Sequence, residues 1–170
     1  MRTHVRAYSQ PDHGGTVSHV STPEQPPIPP TDRSAYPHTT TVHTRWRDND
    51  LYGHVNNAVY YEYMDTAINE TLIHDGGLDI HNGPVIGLCV QSHCEFLGPL
   101  DYPGAVDVCL RVGHLGSSSV RYELAIFDGT SGNAAAVGWF THVFVDRESR
   151  RPTEMEPQLR ARLEALRAQS

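Results

Sequence analysis

The sequence predicts an α+β domain in which one antiparallel β-sheet covers one long helix. Three observations carry this reading. A β-branched run, TTTVHTRWR, occupies residues 39–47; residues 58–73 hold helical spacing without a glycine or proline; and four later segments alternate apolar and polar residues between short turns. There is no strand–helix–strand alternation and no internal repeat, so a parallel sheet is not expected. A chain of 170 residues suits one such domain.

Residues 1–38 come first, and they hold seven of the twelve prolines, including PEQPPIPP at 23–30, with few large apolar side chains. Such a segment buries too little surface to offset its ordering entropy, so it is expected to be a disordered Pro-rich tail outside the fold. Its histidines, His4, His13, His19 and His38, are irregularly spaced, and no metal site is expected from them. The domain is expected over 39–155. Its first strand places Val42, Thr44 and Trp46 on one side.

The helix AVYYEYMDTAINETLI follows, with Tyr60, Met64, Ile68 and Leu72 at helical spacing and Ala58, Tyr61 and Ala67 widening the stripe. A stripe that broad implies burial on most sides. HDGG ends it, because Gly76 or Gly77 can adopt the left-handed cap conformation. Of the four strands, 85–97 aligns Ile86, Leu88, Val90, Cys94 and Phe96, 105–112 aligns Val106, Val108, Leu110 and Val112, and 118–127 aligns Val120, Tyr122, Leu124 and Ile126. The last, 135–145, aligns Ala135, Val137, Trp139, Thr141, Val143 and Val145. The breaks GPLDYPG, GHLG and DGTSGN are rich in turn formers, which suits antiparallel neighbours. Residues 156–170 are expected to form a C-terminal surface helix, with Pro157 at its start and Leu159, Leu163 and Leu166 on one face.

A formal charge of −7 disfavours a nucleic-acid surface. The cysteines, Cys89, Cys94 and Cys109, are odd in number and have no zinc-ligand spacing, so neither a disulfide framework nor a metal site is expected and a reduced cytoplasm fits best. No leader-type apolar run and no membrane span are read.

The stretch RWRDNDLYGHVNN at 45–57 gathers two carboxylates, a glycine and a histidine just before the helix. An acid upstream of a helix N-terminus suits acyl transfer, since the carboxylate can attack or deprotonate water while unpaired N–H groups and the helix dipole meet developing oxyanion charge. The same residues also suit turns and caps, and Asp48, Asn49, Asp50 and Asn56 are open to that reading.

The order of strand, RWRDNDLYGHVNNAVYYEYMD, sheet and WFTHVFVDRESRRP resembles the hotdog-fold acyl-CoA thioesterases of the 4-hydroxybenzoyl-CoA thioesterase type over about residues 39–150. The resemblance implies that Asp50, the second acid, is the catalytic carboxylate, and that the backbone N–H near Asn57 holds the thioester carbonyl. Gly53 and His54 complete the expected catalytic set, Gly53 by letting backbone approach the ligand and His54 by orienting substrate or tuning Asp50. Asp48 is expected to brace the loop or pair with Arg45 or Arg47. A second branch of these enzymes carries its acid on the helix, which makes Glu62 the alternative. Tyr52, Asn56 and Tyr60 are expected to contact substrate near the helix entry, and Ser118, Ser119 and Arg121 to receive the pantetheine arm or a phosphate, with Arg147, Arg150 and Arg151 as a second basic cluster.

The expected activity is therefore hydrolysis of an acyl-CoA to a free acid and CoA, with no cofactor beyond the CoA of the substrate. An enoyl-CoA hydratase or dehydratase using Asp50 and His54, and a non-catalytic acyl-CoA binding module, are the alternatives. A homodimer or homotetramer is expected, because one sheet over one helix leaves an edge and a helix flank exposed. The acyl group is not readable from the sequence, although Trp46, Tyr52, Tyr60 and Tyr61 suggest room for an aromatic or medium apolar one.

Overall fold

A computed structural model describes residues 26–167 and shows five strands and two helices. Strand β1 spans His38–His43, β2 Val85–Phe96, β3 Ala105–Leu115, β4 Ser119–Asp128 and β5 Ala134–Asp146. They form one antiparallel sheet in the order β1-β3-β4-β5-β2, so β1 and β2 are its edges.

Helix α1, Asn57–Glu70, continues through a π-helical turn at Thr71–Asp75. Gly77, at φ +73°, supplies the left-handed residue that stops it. Tyr60, Tyr63, Met64, Ala67, Ile68 and Leu72 bury one side of this helical stretch against Val106, Val108, Leu110 and Val112 of β3 and Val120, Tyr122, Leu124 and Ile126 of β4. The alternation predicted for these two strands is the observed one. Helix α2, Pro157–Ala165, lays Leu159, Leu163 and the following Leu166 into the same core.

Two expectations about side-chain direction are corrected. In β5 the core-facing residues include Ala136, Phe140 and Phe144, whereas Val137 joins a smaller cluster with Tyr36, Cys109, Ala125 and Phe127, and Trp139 stacks on His93. Both faces of β5 are buried, so apolar periodicity could not select the inner one. In β2 an irregularity between Cys89 and Gln91 leaves Val90 unpaired and shifts the register, so Ile86 and Leu88 do not share the face of Cys94 and Phe96. Cys89 pairs with His142 on the α1 side.

The segment expected to lie outside the fold contributes to it before β1. Residues 1–25 fall outside the described residues, but Tyr36 is buried, donates to the Pro30 carbonyl at 2.6 Å and lies under the Arg111 guanidinium, 5.5 Å from it. Arg33 pairs with Asp107 at 2.8 Å. An aromatic ring that fills a gap on the sheet offsets the ordering of a short proline-rich stretch. Among the described residues, no helix is long and apolar enough to cross a membrane.

Candidate active site

The loop before α1 is built by local hydrogen bonding. Asp50 donates its amide to the His54 carbonyl at 2.9 Å, and Gly53 donates to the Asp50 carbonyl at 3.2 Å. Gly53 sits at φ +85°, a backbone region that disfavours side chains, with nothing within 4 Å of where a Cβ would stand. The Asp50 carboxylate accepts from the Tyr52 amide at 2.7 Å through Oδ1. That single bond leaves most of its acceptor capacity free.

Asp48 has the opposite environment, at 1 % exposure. It accepts from the Arg45 amide at 2.7 Å, the Arg45 Nε at 2.9 Å and the Tyr63 hydroxyl at 2.7 Å. Burial works to raise its pKa, but the hydrogen bonds from Tyr63 and Arg45 and the Arg45 charge outweigh that and hold it below the ordinary carboxylate value. Burial, together with the bond to Asp48, raises the Tyr63 pKa. Asp48 also receives the Asn56 amide on its carbonyl at 2.8 Å, so this acid fixes the entrance of α1.

At that entrance Asn56 is the N-cap, its side chain accepting from the Ala58 amide at 2.9 Å. The Asn57 amide is the first N–H of the helix, and it has no acceptor among the described residues. Tyr60 faces the same end and donates to the Gly98 carbonyl at 3.1 Å, with its ring edge-on to Phe96 at 5.2 Å.

A cleft of about 600 Å³ opens here. Asp50, Tyr52, His54, Asn56, Asn57 and Tyr60 line it together. The opposite wall, Phe96 to Pro99, was read in the sequence only as the end of a strand and a turn. Its signal was an apolar pair, Phe96 and Leu97, set against a Gly-Pro turn. Trp46 is not part of the lining, standing exposed and edge-on to Tyr102. Glu62 points elsewhere as well, held by the Arg45 guanidinium at 2.9 Å.

Ser118, Ser119 and Arg121 do not reach this cleft within one chain. Ser119 pairs with Val143, which pairs with Leu88, whereas Phe96 at the cleft pairs with Ala136. The two groups therefore occupy opposite ends of the sheet. Arg121 instead bonds Glu123 at 3.3 Å, beside the tighter Arg111–Glu123 pair at 2.7 Å. Among the described residues, no three His, Cys, Asp or Glu are gathered to hold a metal ion.

The thioesterase-like superfamily model matches residues 44–163. Among solved structures, the PA5185 protein of Pseudomonas aeruginosa is 49% identical, with a TM-score of 0.80 over 85% of this chain and 99% of that one. A Thermus thermophilus thioesterase complexed with coenzyme A and zinc is 30% identical, with a TM-score of 0.63 over 75% of this chain and 98% of that one. The 1,4-dihydroxy-2-naphthoyl-CoA thioesterase of Synechocystis shares the fold at 17% identity, with a TM-score of 0.69 over 75% of this chain and 96% of its own. No curated protein matches the sequence.

Proposed function

The chain belongs to the thioesterase-like superfamily and is a thioester hydrolase of the hotdog fold, and from that premise we propose that it cleaves an acyl-CoA with water to a free acid and coenzyme A. Asp50 is the acid we assign to the chemistry. The observation that carries the assignment is its position in the cleft with the first turn of α1, while Asp48, two residues earlier, is spent on Arg45 and Tyr63.

The division of labour follows from charge. Attack on a thioester carbonyl puts negative charge on its oxygen, and the Asn57 amide at the positive end of the helix dipole is suited to receive it. The carboxylate either adds to the carbonyl carbon, giving an anhydride that water opens, or takes a proton from the water that adds. The departing thiolate needs little acid assistance, since thiol pKa values lie near ~8.5. Gly53 and His54 shape the loop that presents Asp50, and Tyr52, Asn56 and Tyr60 form the walls that substrate meets.

A second copy of the chain completes the reading. Of the two sheet edges, β1 is HTTTVH, whereas β2 exposes Leu88, Val90 and Phe96, with Val90 at 60 %. An apolar, unpaired edge is a template for another strand. We propose that two β2 edges pair antiparallel across a two-fold axis. That operation carries the Val85 end of one β2 to the Phe96 end of the other. It brings the β4 start, with Ser118, Ser119 and Arg121, and the turn with Arg147, Arg150 and Arg151, toward the cleft of the opposite protomer, where a CoA phosphate would meet cationic partners.

Thiol release from a panel of acyl-CoAs tests the activity, and formation of a hydroxylated product instead would indicate a hydratase. Asp50→Asn keeps the shape and removes the charge. Its kcat should fall about 10²- to 10⁴-fold with substrate still bound. Glu62→Gln should stay within a few-fold of the parent, and loss of turnover there with a working Asp50→Asn would move the catalytic acid to the helix.

A further inference from the structure

The face of the sheet turned away from α1 is covered by the chain itself. Residues 29–37 run over it ahead of β1, with Pro29 and Tyr36 buried. The Tyr36 ring packs with Cys109 of β3, Ala125 and Phe127 of β4 and Val137 of β5, each at most 2 % exposed. Arg33 lies over the Phe127 ring, 5.9 Å from its centroid, and pairs with Asp107 of β3 at 2.8 Å. This stretch adds no strand to the sheet. It is a strap laid across a face.

Beneath the strap lies a surface of the kind that one sheet buries against another. Asp107, Cys109 and Arg111 stand at alternate positions of β3 and so share this face. Arg111 at 2.7 Å and Arg121 at 3.3 Å share the Glu123 carboxylate, which folds into the space that Gly113 leaves. Two guanidiniums on one carboxylate leave donors to spare. Without the strap, β3 would therefore present an acid and a base on either side of an apolar centre at Cys109. Such an arrangement is self-complementary. A two-fold axis at Cys109, perpendicular to the strands and between two stacked sheets, lays Asp107 of each copy against Arg111 of the other.

The strap supplies the same partners from within the chain. Arg33 gives Asp107 its cation, and the Tyr36 ring lies 5.5 Å from the Arg111 guanidinium while filling the apolar centre. Size agrees with this reading. Five strands ~4.8 Å apart and roughly ten residues long offer a face of about 800 Å², which is what one partner contributes to a standard interface. The strap runs directly into β1, so its effective concentration is on the order of millimolar, and it prevails over a separate copy at ordinary protein concentrations.

We infer that the outer face of the sheet is a docking surface for a second copy of this chain, and that residues 29–37 hold it closed by occupying the place of that copy. The inference concerns the face of the sheet and stands apart from the edge pairing proposed above.

Sedimentation of the full chain and of a chain lacking residues 1–36, at matched concentrations, makes the test. The truncated chain should form particles with twice the full chain's stoichiometry. Its melting temperature should rise with protein concentration, because association stabilises the folded state by mass action. A peptide of residues 26–37, added at about millimolar concentration, should return the particles to the full chain's size. Val137→Lys in the truncated chain should prevent the doubling. Val90→Lys, which acts on the sheet edge, should leave the ratio of truncated to full-length stoichiometry at two. Equal stoichiometry for the truncated and full-length chains would overturn the inference, and so would a doubling that survives Val137→Lys. Should the truncated chain not fold, a full-length Arg33→Ala, Tyr36→Ala double variant loosens the strap while keeping the chain, and unchanged stoichiometry there would overturn it equally.

Discussion

Asp48 and Asp50 share a side chain and stand two positions apart, yet one is consumed by the fold and the other is presented to the cleft. By residue type both suit turns, only the family resemblance singled out Asp50 for chemistry, and of the two arginines expected as partners of Asp48 it is Arg45 that pairs with it. Tyr63, which completes that network from inside the helix, could not be connected to it without the fold. Asp48→Asn should cost about 3 kcal/mol in urea unfolding, the scale for breaking a buried charged pair by removing one member, with little direct effect on chemistry. Because its folded pKa lies below the ~3.9 of an unfolded aspartate, its stabilisation is complete above that pH and is lost as the pH falls through the folded value. His142 acts at higher pH, because an unfolded histidine takes up its proton near ~6.5. Burial lowers its pKa below the ordinary ~6.5, so the folded state resists a proton that the unfolded chain accepts, and stability declines as pH falls below that value. The melting temperature should drop between pH 7.5 and 5.5, and less in His142→Leu; His38, also lowered by burial, leaves a remainder.

Elements with one predominantly apolar side were readable, and those apolar on both sides or shifted in register were not. The stripes of β3 and β4, and the α1 side chains from Tyr60 to Leu72, came directly from spacing, because each has one predominantly apolar side. In β5 both faces are apolar, and in β2 the register shift after Cys89 reverses the faces halfway along, which spacing alone cannot reveal. His142 went unnoticed for the same reason, sitting on the face of β5 taken to be the outer one. The C-terminal helix was read as lying on the surface, and it does, yet its leucines close the core. Leu163 is fully buried, and the Val112 amide donates to the Leu166 carbonyl at 2.7 Å, which ties the end of α2 to β3. Leu163→Ala should lose about 3 kcal/mol by the same unfolding assay, within the range for truncating a core leucine. Glu164→Ala, on the exposed side, should change stability by less than about 0.5 kcal/mol.

At the scale of the molecule, the N-terminal boundary is a matter of which side chains the sheet needs. Deleting residues 1–25 should leave the melting temperature nearly unchanged, since that stretch has the composition of a chain that buries little. Extending the deletion through residue 36 removes the ring beneath Arg111 and should lower it by several degrees, as loss of a buried aromatic does in a domain of this size. A lysine at Val90 should turn a dimer into a monomer in sedimentation and reduce turnover, because the proposed cleft draws on both protomers. The contrast between the two edges also limits how far assembly can go. A sheet whose two edges both accepted strands could add copies without end, as a growing ribbon. In the β2-to-β2 pairing proposed above, each protomer would offer one self-complementary apolar edge and so have a valence of one along the sheet. The first addition would consume the bond that a further copy would need, and the ribbon would stop at two.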